Sequence, residues 1–504
     1  MDINSNKQIA KNSLFLYVRM LVVMLVSLYT ARVVLNVLGV EDYGVYNVVA
    51  GVVSTFSFLT GTISAATSRF FAFELGRRNE DRLSKYFRLS MLSFIVITFL
   101  IIVLAETVGL WFLYNKMIIP ADKMSSAVWV YQFAILAFVV NMLAIPYNAI
   151  IVARENMQVY AYIGILEVIL KLVIVYFLSI GNFEKLKFYA ILMFIVSFIV
   201  SFVYYIYCKK KYKESHFSFF WDKKMFNEFF SFSFWILFGS FSSVARGQGL
   251  NIVLNMFFGP IVNAAYGVSY QVNNAINQFV NSFYTAVRPQ ITKRYAAGEI
   301  TSMMKLVFVS SRMCYFLVLI FAIPLFLEAP LVLKLWLINV PDYSVVFLRL
   351  VILVSLIDAG SYPFQAAVSS TGKVKWYQII TGGLMIVTLF VAYFALKLGL
   401  PPAAVFYISI VTTILAQISR IIFMRFLLGM SIKDYSKDVL APIFMVTILA
   451  CLFPVLCYVY IEPNLVRLII TSLVSVLSTV GLIFIFGINR DERLLILNYI
   501  KGKK

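Results

Sequence analysis

The residues of this chain best able to do chemistry are mostly neutral. From Tyr266 to Tyr284 the sequence reads YGVSYQVNNAINQFVNSFY. Wound as a helix at about 100° per residue, Tyr266, Tyr270, Asn273, Asn274, Asn277, Gln278, Asn281 and Tyr284 gather on one face. Val268, Val272, Ile276, Phe279, Val280 and Phe283 fill the other. An amide offers donor and acceptor together, and a phenol offers a flat apolar ring with a polar tip. Together they suit the hydroxyls of a sugar, though not sugars alone. Lipid cannot satisfy so many amides, so this face must meet water or polar protein. A helix lying flat on a membrane surface would also be two-faced, but such helices are rich in Lys and Arg. This stretch has neither.

Charges deep in apolar runs are the second signal. Glu167, Lys171, Arg246 and Asp358 lie near the centres of such runs. Each costs roughly 2.5–3.5 kcal/mol to insert there and marks a cavity or a function. Glu167 and Lys171 are spaced i, i+4 with Glu first, the order of a self-neutralised pair. Arg246 has no local partner. It sits in ARGQGLNIVLN, where Gly247 and Gly249 are placed to loosen the helix and Asn251 and Asn255 follow. On an ideal helix Arg246 points away from both asparagines. Asp358 lies in DAGSYPFQ, where Gly360 and Pro363 predict a kink; it either pairs with a buried cation or carries a coupling proton. Arg19, near Ser27 and Thr30, is the best second cavity cation. Arg32, Arg312 and Arg349 sit nearer span ends and are expected to snorkel. The candidate cavity set is therefore Arg246, Arg19, Asn251, Asn255, Tyr266, Tyr270, Asn273, Asn277 and Asn281. Asp358, Glu167 and Lys171 are candidates for coupling or a buried ion pair. A cavity with this surplus of cations favours an anion such as a phosphate or diphosphate.

Metal and thiol chemistry are not expected. There is one histidine, His216, and the four cysteines form no C-x-x-C pair, whereas a zinc site needs clustered ligands. No cofactor is predicted beyond a coupling H+ or Na+.

The elements that position these groups follow from composition. Of 504 residues, 62% are hydrophobic and 13% charged, and the mean hydropathy is +0.90; a soluble protein carries about 25% charged residues. The chain reads as an all-α polytopic membrane protein. Apolar runs long enough to span fall near 13–37, 44–68, 89–114, 127–152, 159–180, 187–208, 230–258, 263–287, 305–328, 343–370, 375–398, 402–428, 438–460 and 464–487, fourteen in all. The polar N-terminus leads into a first span expected to be retained. Lysine and arginine crowd the segments on one side of this topology, including Arg77, Arg78, Lys209, Lys210, Lys211, Arg288 and Arg420. By the positive-inside rule both termini are cytoplasmic. That asymmetry accounts for the net charge of +20 without nucleic acid as a partner.

An internal repeat organises the spans. LGVEDYGVYNVVAGVVSTF, running to FELGRRNEDRLSKYFRLS, resembles FGPIVNAAYGVSYQVNNAINQF, running to RYAAGEITSMMKLVFVSS. Tyr43-Gly44 matches Tyr266-Gly267, Gly76 matches Gly298, and Ser90 matches Ser311. Two six-helix lobes in one orientation follow, related by a pseudo-two-fold along the membrane normal. The expected division is 1–208 for the first lobe, 209–229 for a cytoplasmic linker, 230–428 for the second lobe, and 429–504 for two peripheral spans and a basic tail.

Leu38–Val52 (LGVEDYGVYNVVAGV) resembles the first-loop signature of Wzx-type polysaccharide flippases of the multidrug/oligosaccharidyl-lipid/polysaccharide exporter superfamily. Phe258–Glu299, with FFGP, AAYGVSY and VRPQITKRYAAGE, resembles its second-half counterpart. The resemblance implies a bacterial inner-membrane protein and not an enzyme. It would translocate an undecaprenyl-diphosphate-linked oligosaccharide from the cytoplasmic to the periplasmic leaflet by alternating access, for surface polysaccharide such as O-antigen, lipopolysaccharide or capsule. Cavity cations would hold the diphosphate, and by position Arg246 and Arg19 are the carriers. Membrane lipids, a polymerase and glycosyltransferases are the implied partners. A lipid II flippase shares the same charge logic. A cation-coupled multidrug extruder would want acids in the cavity, where this chain has more cations. A membrane glycosyltransferase or polymerase would want large outer loops and an acidic catalytic pair, and neither is present.

Overall fold

The computed structural model describes residues 3–54, 57–115, 119, 121–180, 184–337, 340–489 and 492–493. No strand occurs among them. The helices are α1 (Ile3–Ser54), α2 (Ser57–Gly76), α3 (Glu80–Leu104), α4 (Leu110–Asn115), α5 (Met124–Ala153), α6 (Met157–Ile180), α7 (Lys185–Lys211) and α8 (Lys223–Ala296). They continue with α9 (Ile300–Leu327), α10 (Ala329–Trp336), α11 (Ser344–Ala359), α12 (Tyr362–Ser370), α13 (Lys375–Lys397), α14 (Ala404–Leu428), α15 (Ile432–Tyr435), α16 (Ala441–Tyr460) and α17 (Leu465–Leu482). In lipid each backbone N–H and C=O must be satisfied within the segment, which leaves these apolar runs no choice but helix.

Twelve helical stretches among the described residues are long and apolar enough to cross a membrane. The other two expected spans fall outside that set for separate reasons. The span at 263–287 is helical, as part of α8, but its amides hold its hydropathy down. The span at 44–68 runs over residues 55 and 56, which lie outside the described residues.

Two long helices are interrupted by glycine. Gly39 in α1 has φ 82°, ψ 167°, and Gly259 in α8 has φ 74°, ψ −168°. Residues with a Cβ are essentially excluded from that conformation. The two glycines stand 220 residues apart, each ahead of the even-numbered span that follows. Further left-handed positions match in the same way. Arg78 (φ 56°) and Gly298 (φ 80°) are also 220 apart. Each closes a helix with the same hydrogen bonds: Asn79 N–H to Glu74 O at 3.0 Å, and Glu299 N–H to Arg294 O at 2.9 Å. Glu155 (φ 60°) and Gly372 (φ 76°), 217 apart, each stand two residues past the end of α5 and α12. The match of Gly76 to Gly298 is thereby corrected. Gly76 is the last residue of α2, and the structural counterpart of Gly298 is an arginine in a conformation that glycine would adopt more cheaply.

The chain divides into two compact units, residues 9–237 and residues 1–8 with 238–504. The first has a core that includes Val49, Phe94, Val130, Tyr131 and Met142. The second has a core that includes Leu254, Val280, Val318, Phe347, Leu348 and Phe406.

The last two spans belong to the second unit and are pinned to α9. Just past the end of α9, fully buried Glu328 accepts from Arg467 Nη2 at 3.0 Å, with Arg467 Nε 2.9 Å from its other oxygen. The same guanidinium lies over the Tyr458 ring, 4.4 Å from its centre. Beyond the other end of α17, Arg312 of α9 donates to Glu492 at 2.7 Å. Between these pairs Thr471, Ser475 and Thr479, spaced four apart, are fully buried. Arg312 is only 1% exposed, so the expectation of snorkelling is corrected. Its partner is a distant carboxylate rather than water. Arg349 is half-buried and donates to Phe326 O at 2.9 Å at the carboxyl end of α9.

Candidate functional site: a polar cavity in the second unit

A cavity of about 420 Å³ opens within residues 238–504. The first half of α8 contributes Ser240, Ser243 and Arg246, and the second half contributes Tyr270, Asn273, Asn274, Asn277 and Asn281. Facing them are Ser355 and Asp358 of α11, Tyr362 and Gln365 of α12, Tyr377, Gln378 and Thr381 of α13, and Arg420 of α14.

Local sequence explains each wall. The span that carries Asp358 is broken where DAGSYPFQ predicts a kink. α11 ends at Ala359, and α12 restarts at Tyr362 with Pro363 in its first turn. At the break Ser361 Oγ donates to Asp358 O at 2.7 Å, and Ser311 Oγ donates to Gly360 O at 2.5 Å, so the freed carbonyls are met. Asp358 therefore stands at the carboxyl end of a half-helix, where the dipole disfavours a negative charge and favours cations beside it. Two arginines supply them. Arg420 Nη1 is 2.8 Å from Asp358 Oδ1, and Arg246 Nη2 is 3.8 Å from Asp358 Oδ2. Arg420 also donates to Ser361 Oγ at 2.6 Å. One carboxylate thus faces a different arginine with each oxygen. The cluster keeps one positive charge in excess.

Arg246 reaches this point because α8 and α13 approach closely. A Cβ on Gly382 would come within 3.0 Å of Ser242 Oγ and 3.2 Å of Phe238, and one on Gly239 would strike the Gln378 side chain. Small residues let membrane helices pack this tightly. Gly247 and Gly249 do not break the helix; the break comes at Gly259. The Gly247 carbonyl accepts from Tyr266 Oη at 2.8 Å.

The amide wall is a network. Asn277 Nδ2 donates to Asn273 Oδ1 at 3.1 Å and to Ser355 Oγ at 3.3 Å. Ser355 Oγ donates in turn to Asn273 Oδ1. Tyr284 lies against Tyr362 with ring centres 5.7 Å apart. On the opposite side of the same helix Ile276 and Val280 are buried in the core, and Phe279 packs on Phe321 at 4.7 Å.

The residues singled out in the sequence divide accordingly. Arg246, Tyr270, Asn273, Asn277, Asn281 and Asp358 line the cavity together. Tyr266 lies just behind it, buried and stacked on Tyr270 at 4.3 Å. Asn251 lies outside the lining, where its Oδ1 accepts from Asn263 at 2.6 Å across the Gly259 break. Asn255 also lies outside the lining, on an exposed face. Arg19 belongs to the unit 9–237, half-buried, with its guanidinium 4.4 Å over the Tyr160 ring. Glu167 and Lys171 of that unit pair with each other at 2.6 Å. Arg420 is the cavity cation that sequence reasoning misses. By charge it reads as one of the basic inner residues, although it falls inside the run 402–428, beside Gln417 and Ser419. That polar setting is the available signal.

The fold and this cavity define a multi-pass membrane transporter. Its structure is similar to a MATE transporter carrying a point substitution (TM-score 0.72, 15% identity, 84% of this chain and 96% of that one). It is also similar to an outward-facing multidrug resistance MATE family transporter of the MOP superfamily (TM-score 0.71, 14% identity, the same coverage). A third is a MOP superfamily transporter from Pyrococcus furiosus described as having a binding pocket of reversed polarity (TM-score 0.67, 15% identity, 84% and 96%). At such identity the likeness is one of fold. The chain belongs to the polysaccharide biosynthesis protein family, which it matches over residues 9–295. Among curated proteins none matches the sequence. Family and fold together agree with the expected Wzx-type member of the exporter superfamily.

Proposed function

We propose that the protein carries an undecaprenyl-diphosphate-linked oligosaccharide from the cytoplasmic to the periplasmic leaflet of a bacterial inner membrane, by alternating access, for surface polysaccharide synthesis. The observation that carries this reading is the cavity's chemistry: two arginines converge on one carboxylate beside a wall of amides and phenols. Arg246 and Arg420 are the diphosphate ligands, since a guanidinium fork matches phosphate oxygens. Asn273, Asn274, Asn277, Asn281 and Tyr270 face the sugars, while the polyprenyl tail stays in lipid. Asp358 pairs with both arginines and is the shared counter-ion that holds them in place. The cavity's positive excess speaks against organic cations as cargo.

The test is complementation of a strain that lacks the protein. Arg246→Ala abolishes surface polysaccharide and Arg246→Lys restores part of it. Unchanged polymer in the alanine strain contradicts the site. Loss of peptidoglycan precursor export instead of surface polymer would make the cargo lipid II.

A further inference from the structure

The segment between α7 and α8 is a basic, aromatic strap. α7 ends on Lys209, Lys210 and Lys211, and α8 begins at Lys223 and Lys224. These five and Lys213 are exposed. Of the acids in this segment, Glu214 is buried against Arg154 at 2.5 Å, and Asp222 caps the start of α8 by accepting the Met225 N–H at 2.9 Å. Lysines in the first turn of α8 stand where the helix dipole disfavours them, so their place is not explained by the helix itself.

The aromatics have a direction. Residues 216–222 have no helical structure, and in extended chain alternate residues share a face. Phe217, Phe219 and Trp221 alternate and are 47%, 77% and 52% exposed. Their row is continuous with an exposed aromatic ridge. The Trp221 ring centre is 4.6 Å from Phe226, and Phe226 stacks on Phe230 at 5.6 Å. Phe230 and Phe234 follow at helical spacing along a membrane-spanning helix, both exposed. Exposed phenylalanines on a helix long and apolar enough to cross a membrane fit a covering of lipid, and the strap adjoins the end of that helix.

We infer that residues 209–224 form a binding site for anionic phospholipid. Phe217, Phe219 and Trp221 enter the headgroup region, where aromatic side chains partition, and the six lysines hold the headgroup phosphates. This is independent of what the cavity carries.

The experiment uses full-length protein in nanodiscs with Trp221 as the single tryptophan, the other five changed to phenylalanine. In phosphatidylglycerol discs, lipids brominated near the headgroup quench Trp221 more than lipids brominated deep in the chain. The quenching weakens in phosphatidylcholine. As a second measurement that needs no tryptophan removal, spin-labelled phosphatidylglycerol binds the otherwise wild-type chain. Each Lys→Gln change among the six lowers that affinity about fivefold. Quenching of Trp221 by aqueous iodide with none by bromolipid overturns the inference. So does affinity for phosphatidylglycerol that the lysine substitutions leave unchanged.

Discussion

Arg420 holds one oxygen of Asp358 at 2.8 Å while Arg246 stands 3.8 Å from the other. The unequal distances divide the roles. The side chain of Arg420 is 10% exposed and bound by two partners. Arg246 keeps most of its fork free and is proposed to take the larger share of the diphosphate, with Arg420 offering the donors that Asp358 and Ser361 leave unused.

That asymmetry predicts different costs. Removing one partner of a buried pair costs about 3–5 kcal/mol. Arg420→Ala and Asp358→Asn should both lower the thermal midpoint in detergent markedly, and Arg246→Ala should lower it less. Asp358→Asn combined with Arg420→Gln should recover part of the loss, with a coupling of roughly 0.5–3 kcal/mol. Additive losses would mean the two do not act as a pair.

The glycine breaks give a second prediction. Gly39→Ala and Gly259→Ala force a Cβ into a conformation that costs about 1–3 kcal/mol per residue. Gly267 is helical with open space around its Cβ position, so Gly267→Ala should be neutral or stabilising by up to about 1 kcal/mol. Thermal midpoints of the three purified variants check this. Equal midpoints would contradict the assigned breaks.

The staple between α9 and α17 gives a third. Glu328→Gln leaves Arg467 buried without its counter-ion, and a loss of about 3–5 kcal/mol is expected. Exchanging the pair, Glu328→Arg with Arg467→Glu, should restore part of it. Unfolding of both variants in detergent decides the matter.

Thiol accessibility gives a fourth. In a chain freed of its four cysteines, Asn274→Cys and Asn281→Cys face the cavity and should react readily with a hydrophilic maleimide. Ile276→Cys and Val280→Cys lie in the core and should be protected. Uniform protection along 266–284 would end the case for a wet cavity.

Much of the site was legible because its signals are local. The amides of 266–284 repeat at helical spacing, and DAGSYPFQ announces its own break. What escaped depends on distant partners or on conformation. Arg312 reads as an interfacial arginine because Glu492 lies 180 residues away in sequence. Asn251 and Asn255 share a helix with Arg246 but not a face. Arg420 needed the depth of its helix, not its charge alone. Arg78 takes a left-handed turn that its sequence does not announce, and its backbone match to Gly298 repeats the register already set by Gly39 and Gly259.

The central claim is that Arg246 and Arg420 bind the diphosphate of a lipid-linked glycan, and the direct measurement is equilibrium binding to purified protein in nanodiscs. A glycosylated polyprenyl diphosphate should bind saturably to the wild type. Arg246→Ala should weaken it at least about tenfold, the equivalent of 1.4 kcal/mol, and a glycosylated polyprenol without phosphate should not compete. Equal affinity in the wild type and the alanine variant, or full competition by the neutral glycolipid, would contradict the account.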